Sequence, residues 1–434
     1  MSDGKKTARL ARLKARVLRL YSHGQRGFLY LAGGIVVGLA AIAMAYGADK
    51  AQELFQMLIA WKPWMALVVT PLGFGIAIWM TRHFFNNAQG SGIPQVIAAR
   101  HVREGEAQQA LVSLKVAAGK IIVMMFGLVS GASTGREGPT VQVGAAIMYA
   151  LRRFSPQREH ELMLAGAAAG ISAAFNTPLA GVVFAIEELS RSFEARTSGL
   201  LIGAVIAAGM TSLAVIGDYS YFGTTFVTIR FGMGWLAILA IGIVGGIAGG
   251  LFGRVVIMAS DGFPGFAGRL MKQHPVPTAV ICGLLVALCG LSGSGSIFGT
   301  GYDEARAIIH GDVADLTFGP LKLLATTFSA ISGIPGGIFA PSLAIGAGLG
   351  SDMSLLFPYV PIGALALLGM VAYLTGVVQA PLTSFVIVFE MTDDNGLVLP
   401  LMAAALVAQL TSKLILPEGL YHALARKYLE AQKT

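Results

Sequence analysis

Apolar positions run along this chain in long blocks rather than alternating with polar ones. Phe28–Ala48, Trp64–Met80, Leu162–Ile186, Pro275–Tyr302, Leu323–Gly350 and Leu355–Phe389 contain no Asp, Glu, Lys or Arg. About 20 apolar residues carry an α-helix across a hydrocarbon core, so the pattern predicts a polytopic, all-α integral membrane protein. The longer blocks hold internal Gly and Pro and predict two elements, or one broken helix, each. Non-helical backbone at membrane depth persists only where protein or a water-filled cavity covers it. The breaks therefore mark candidate sites.

Composition agrees. Of 434 residues, 55% are hydrophobic and only 12% charged, about half the charged share of a soluble domain. Gly occurs 56 times, as suits closely packed membrane helices. The net charge of +8 gathers at the N-terminus, where Lys5, Lys6, Arg9, Arg12, Lys14, Arg16, Arg19 and Arg26 face Asp3 alone. Charge by itself would suit a nucleic-acid arm. Beside a span, a basic cluster marks the cytoplasmic side, so no nucleic-acid partner is expected. With apolar residues at Leu10, Leu13, Val17, Leu18 and Leu20, residues 1–27 read as a cytoplasmic basic amphipathic helix lying on the lipid bilayer. The C-terminal tail is basic too, and both termini are placed in the cytoplasm. Cys282 and Cys289 sit seven positions apart on one apolar helix, too far to bridge, and are expected as core thiols.

The chain repeats itself. SGASTGREGPTVQVGA at 130–145 matches SGIPGGIFAPSLAIGA at 332–347, with Gly135/Gly337 and Pro139/Pro341 at an offset of 202. FNTPLAGVVFAIEE at 175–188 matches VQAPLTSFVIVFEM at 378–391, with Pro178/Pro381 and Glu187/Glu390 at an offset of 203. Two collinear matches predict duplicated membrane halves, 28–216 and 217–416, followed by a C-terminal cytoplasmic-side helix in 417–434. Such duplication places a transport site where interrupted helices meet. Sequence repetition alone leaves the relative orientation of the halves open.

Three segments share one local design: Gly90-Ser91-Gly92-Ile93-Pro94, Gly135-Arg136-Glu137-Gly138-Pro139 and Gly337-Ile338-Phe339-Ala340-Pro341. Each puts Gly before Pro and then an apolar helical stretch. Pro is favoured in the first helical turn, and Gly lets a ligand approach the backbone. Each segment predicts a helix N-terminus within the membrane, with free N–H groups and about half a positive charge. That is an anion site without a fixed cation, and partial charges permit release as well as capture. Taken singly, each could be mere helix punctuation. Glu137 tips the balance, because a carboxylate inside a membrane is costly and functional by default. Its neighbour Arg136 offers the alternative of a structural ion pair.

These motifs, in this order and spacing, resemble the signatures of the CLC family of chloride channels and chloride/proton exchangers, over about 28–425. The resemblance implies about eighteen tilted and broken helices in two inverted-topology repeats. It also implies a homodimer with one anion path per subunit. It assigns chloride binding to Ser91, Gly92, Ile338, Phe339 and Tyr421, the last in GLYHAL near the C-terminus. Helix capping is the ordinary task of Ser91, and Tyr421 could otherwise be an interfacial aromatic. By the same resemblance, Glu137 is the gate: ionised, it competes with the anion for the same donors, and protonated, it moves aside. Glu188 would be the proton-transfer acid of an exchanger, where channels carry an apolar residue. Glu187 and Glu188 close an apolar helix and could simply be a solvated end, but Glu188 aligns with Met391 and so lacks the counterpart that Glu187 has. Arg136 and Lys120 are supporting residues. Lys120 matches a buried family lysine; its alternative is to snorkel to the interface. Gln95 and Ile97 stand where the family often has acids, which leaves Lys120 without an acidic partner.

The expected function is exchange of chloride for protons at the inner membrane of a bacterium. A passive chloride channel, or an exchanger for fluoride or nitrate, is the alternative. Glu188 argues against the channel, and the resemblance makes Ser91 a mark of chloride. HExxH, G-x-S-x-G and Walker patterns are missing, so an enzyme, a nucleotide-driven pump, a metal site or a cofactor is not expected; chloride is the substrate.

Overall fold

The structure, a computed structural model, describes residues 3–102, 105–190, 198–217, 221–223, 227–229, 232–293, 295–392 and 394–430, with the side chains of 3–24, 198, 267 and 395 excepted. The expected apolar face of the basic N-terminal stretch therefore lies outside the described side chains. Its backbone is helical and continuous with the first span in α1 (Asp3–Trp61).

The first half continues through α2 (Ala66–Phe84), α3 (Ile93–His101), α4 (Glu106–Leu111), α5 (Leu114–Val129), α6 (Glu137–Ala150), α7 (Glu159–Phe175), α8 (Pro178–Phe184) and α9 (Ser198–Ile216). The second half holds α10 (Gly234–Asp261), α11 (Gly265–Gln273), α12 (Pro275–Ser292), α13 (Tyr302–Ile309), α14 (Phe318–Ser332), α15 (Phe339–Asp352), α16 (Ile362–Val378), α17 (Pro381–Thr392) and α18 (Val398–Ile415), with α19 (Leu420–Glu430) closing the chain. Among the described residues, seven helices are long and apolar enough to cross a membrane. Exposed Leu31, Ile35, Leu236, Leu239 and Leu284 turn apolar faces outward, as lipid-facing helices require.

The long apolar blocks do break in two. Leu162–Ile186 becomes α7 and α8, and Leu355–Phe389 becomes most of α16 and α17. Both breaks use a left-handed non-glycine residue ahead of a proline turn, Asn176 (φ 56) and Gln379 (φ 62). These two sit 203 positions apart, so the repeat extends to backbone conformation.

The halves are also related in space. Gly135 N–H donates to the Gly337 carbonyl at 2.7 Å, and Gly337 N–H returns to the Gly135 carbonyl at 2.6 Å. This is an isolated antiparallel bridge between two residues that are equivalents across the repeat. Equivalent positions that exchange both bonds run in opposite directions about a local two-fold. Glu187 and Glu390 obey the same relation. The Glu187 carboxylate accepts from Leu382 N–H at 3.2 Å and Thr383 N–H at 2.7 Å. The Glu390 carboxylate accepts from Leu179 N–H at 3.0 Å and Ala180 N–H at 2.6 Å. Each half thus caps the other half's short helix with an acid, which favours the helix N-terminus electrostatically.

Glycine sets how closely the helices approach. A Cβ on Gly144 of α6 would run into the Gly166 carbonyl of α7, and one on Gly346 of α15 into the Gly369 carbonyl of α16. Such small-residue contacts hold membrane helices together. Gly144→Val is expected to cost about 1–3 kcal/mol or more by overpacking. It should lower the thermal aggregation midpoint in detergent, and an unchanged midpoint would refute the contact.

Candidate anion and proton site

The three Gly/Pro segments converge. Ile93, Glu137 and Phe339 open α3, α6 and α15, so each segment ends in a helix N-terminus as its sequence predicts. Gly138 is the meeting point. A Cβ there would overlap Ser91 Oγ and stand 3.3 Å from Gly337 Cα. The Gly90 carbonyl accepts from Gly336 N–H at 3.1 Å, which ties the first segment to the third. Gly90 (φ 61) and Gly92 (φ 99) are left-handed, a conformation that glycine adopts without strain.

Glu137 is fully buried. Its Oε1 accepts from the Tyr302 hydroxyl at 2.8 Å, and its Oε2 accepts from Ala340 N–H at 3.4 Å. Ala340 stands in the first turn of α15, whose N–H groups have no intrahelical partner. The carboxylate thus occupies donors that any anion at this helix end would use. Arg136 does not pair with it. Its Nη1 donates to Asp49 Oδ1 at 2.5 Å and to the Ala45 carbonyl at 2.7 Å, and its Nη2 donates to the Tyr221 hydroxyl at 3.0 Å. The structural alternative for Glu137 therefore falls. Arg136 instead fastens α6 to α1, because its side chain leaves the helix end away from the carboxylate.

Ser91 and Tyr421 come together although 330 positions separate them. Each hydroxyl is buried and, among the described residues, makes no hydrogen bond. A buried hydroxyl without a partner is costly, and two together are a donor pair suited to an anion. They line a cavity of about 550 Å³, shared with Ser133, Thr134, Gly337 and Ile338. Neither alternative from the sequence holds for them: Ser91 Oγ makes no capping bond to α3, and Tyr421 is not interfacial but fully buried. Gly92 does not line the cavity; it is the left-handed N-cap of α3, packed on Gln142. Phe339 is buried, with its ring 6.0 Å from that of Tyr421 and 6.1 Å from that of Phe184. Glu188 does not line this cavity; it is buried in the π-helical segment Ala185–Ser190 after α8.

Lys120 does not snorkel. It is fully buried, and its Nζ donates to the carbonyls of Gly90 at 2.7 Å and Gln89 at 3.1 Å. Carbonyls replace the acidic partner that Gln95 and Ile97 do not provide. Gln95 braces the same turn, with Nε2 donating to the Gln89 carbonyl at 2.7 Å.

Two residues escaped the sequence reading. Lys322, which is 202 positions after Lys120, donates to the carbonyls of Ile297 and Gly299 at 2.8 and 2.9 Å. Tyr302 touches Glu137 directly. A signal for both exists. Gly299-Thr300-Gly301-Tyr302 matches Gly90-Ser91-Gly92-Ile93, and both turns are left-handed at their first and third residues. The offset there is 209, so a search at 202 passes over it.

A family model described as Voltage gated chloride channel matches residues 72–413. The H(+)/Cl(-) exchange transporter ClcA of Yersinia pestis bv. Antiqua (strain Angola) is 34% identical over 430 residues, covering 92% of this chain and 87% of that protein. The protein of the same description from Klebsiella pneumoniae subsp. pneumoniae is 31% identical over 435 residues, covering 94% and 89%. Among solved structures, a slow cyanobacterial Cl-/H+ antiporter superposes with a TM-score of 0.81 at 24% identity, covering 94% of this chain and 99% of that one. A CLC-type fluoride/proton antiporter gives 0.78 at 22%, covering 93% and 98%. The two solved structures share their fold with this chain.

Proposed function

Because this chain belongs to the voltage-gated chloride channel (CLC) family of ion transporters, we propose that it is a chloride/proton exchanger in which Glu137 gates the anion path. The observation that carries the reading is the Glu137 carboxylate seated on the Ala340 N–H at the mouth of α15. The same helix end serves either the carboxylate or a chloride ion. When Glu137 takes up a proton, it loses its attraction for that end and yields it to the anion. When it releases the proton, it reclaims it. Proton and chloride movement are thereby linked at one place.

On this reading the chloride lies between the Ser91 and Tyr421 hydroxyls and the first-turn amides of Ile338 and Phe339, with Gly92 shaping the turn. Partial charges bind there without trapping. Lys120 and Arg136 hold the turn and the helix end in register. Glu188 supplies protons from the cytoplasmic side, and its place on a different cavity from Ser91 and Tyr421 keeps the two ions on different routes. Relatives named as H(+)/Cl(-) exchange transporters favour chloride as the anion. The reading includes a homodimer in a bacterial inner membrane with both termini cytoplasmic. Support for the dimer comes from Leu179 and Leu382, exposed beside the reciprocal Glu187 and Glu390 clasps, and from Leu406 and Leu410 on the adjoining α18.

In proteoliposomes, an imposed chloride gradient is expected to drive protons against their own gradient. Robust chloride flux with no proton movement would identify a passive channel instead. Fluoride or nitrate outcompeting chloride would move the substrate assignment.

A further inference from the structure

The residue after Tyr421 turns toward the proton site. His422 Nε2 lies 2.9 Å from the Glu188 backbone carbonyl and 3.6 Å from Glu188 Oε1. The Glu188 side chain is 3% exposed and that of His422 14%, so the imidazole is the better reached by water. One position on, Arg100 Nη1 donates to the Leu189 carbonyl, which fixes the backbone that carries Glu188.

Helix α19 packs against α3, α10 and α16. The titratable and charged groups of these elements are Arg100 and His101 on α3, Arg254 and Asp261 on α10, and Tyr373 on α16. On α19 itself they are Tyr421, Arg426, Lys427, Tyr428 and Glu430. Several have partners of their own. Arg426 meets Glu418 at 2.8 Å. Lys427 donates to Ser260 Oγ at 2.9 Å. His101 Nδ1 lies 2.8 Å from the Ile97 carbonyl. His422 reaches the Glu188 carboxylate, and imidazole is a side chain that serves as a proton shuttle.

We propose that His422 carries protons from the cytoplasmic side to Glu188; this deepens the exchanger reading and rests on it. Water delivers a proton to Nδ1, giving the imidazolium. The Nε2–H bond then breaks as an O–H bond forms on Glu188 Oε1, leaving a neutral imidazole and a neutral carboxyl group. Exchange with water returns the ring to its starting tautomer. Transfer requires the 3.6 Å gap to close to about 2.8 Å, which side-chain rotation away from the carbonyl supplies.

The test is paired proton and chloride flux in proteoliposomes. His422→Gln keeps an N–H for the Glu188 carbonyl but cannot carry an extra proton. It is expected to slow proton flux at least about tenfold while chloride continues to move, and the chloride flux reports that the protein is folded. Imidazole added on the cytoplasmic side should restore part of the proton flux in His422→Ala. Proton flux unchanged in His422→Gln would overturn the relay. Protons would then reach Glu188 directly through the second cavity, of about 570 Å³, lined by Glu187, Glu188 and Lys413. Failure of imidazole to restore any proton flux in His422→Ala would overturn it too. If the unmodified protein moves no protons at all, the exchanger reading falls and the relay with it, whereas intact flux in His422→Gln sinks the relay alone.

Discussion

Glu137→Gln should abolish proton movement, by about a hundredfold or to the leak level, while chloride flux persists and loses its dependence on pH. The unmodified carboxylate holds the Ala340 N–H at 3.4 Å and the Tyr302 hydroxyl at 2.8 Å. Protonation weakens that hold, so chloride flux in the unmodified protein should rise as pH falls. Gln has nearly the same shape but cannot ionise, so it leaves the donors available at every pH and has no proton to pass on. Chloride and proton flux measured together against pH decide the matter. A Gln variant that still pumps protons against their gradient would remove Glu137 from the gate.

Glu188→Gln should also stop proton movement, yet leave chloride flux near its original rate. Glu188 does not line the cavity of Ser91 and Tyr421. On the proposed reading, neutralising Glu188 removes a carrier from the proton route without touching a chloride donor. The contrast with Glu137→Gln lies in pH: chloride flux in Glu188→Gln should keep its pH dependence, because Glu137 is left in place. Loss of chloride flux with retained proton flux would contradict the assignment. These two variants, with His422→Gln, divide the pathway into gate, carrier and supply.

Much of this arrangement was legible in the chain because it is local. Gly before Pro before an apolar run predicts a helix N-terminus wherever it stands, and all three such segments open helices. The breaks in the long apolar blocks are legible for the same reason: Pro178 and Pro381 cannot continue the preceding helix. The pairing of Glu187 with Glu390 is legible in the repeat, though the geometry of their reciprocal capping is not. Arg136 was harder. Adjacency suggested a pair with Glu137, but residues next to each other at a helix start point in different directions, and Asp49, 87 positions away, took the guanidinium. Lys120 lacked an acidic partner in sequence, and two backbone carbonyls filled the need. Carbonyls carry no sequence label, so no inspection of residue types could have found them.

By itself, the sequence determined that the protein is a polytopic helical membrane protein with duplicated halves, broken helices and a costly buried acid. Helix length, hydrophobic blocks and Gly/Pro breaks are short-range properties, written wherever they act. Only the tertiary structure decided that equivalent glycines exchange hydrogen bonds across the repeat, that Tyr302 holds Glu137, that Ser91 and Tyr421 line one cavity, and that His422 faces Glu188. Those contacts join residues hundreds of positions apart. They depend on how closely glycine lets helices approach and on where buried donors must find acceptors.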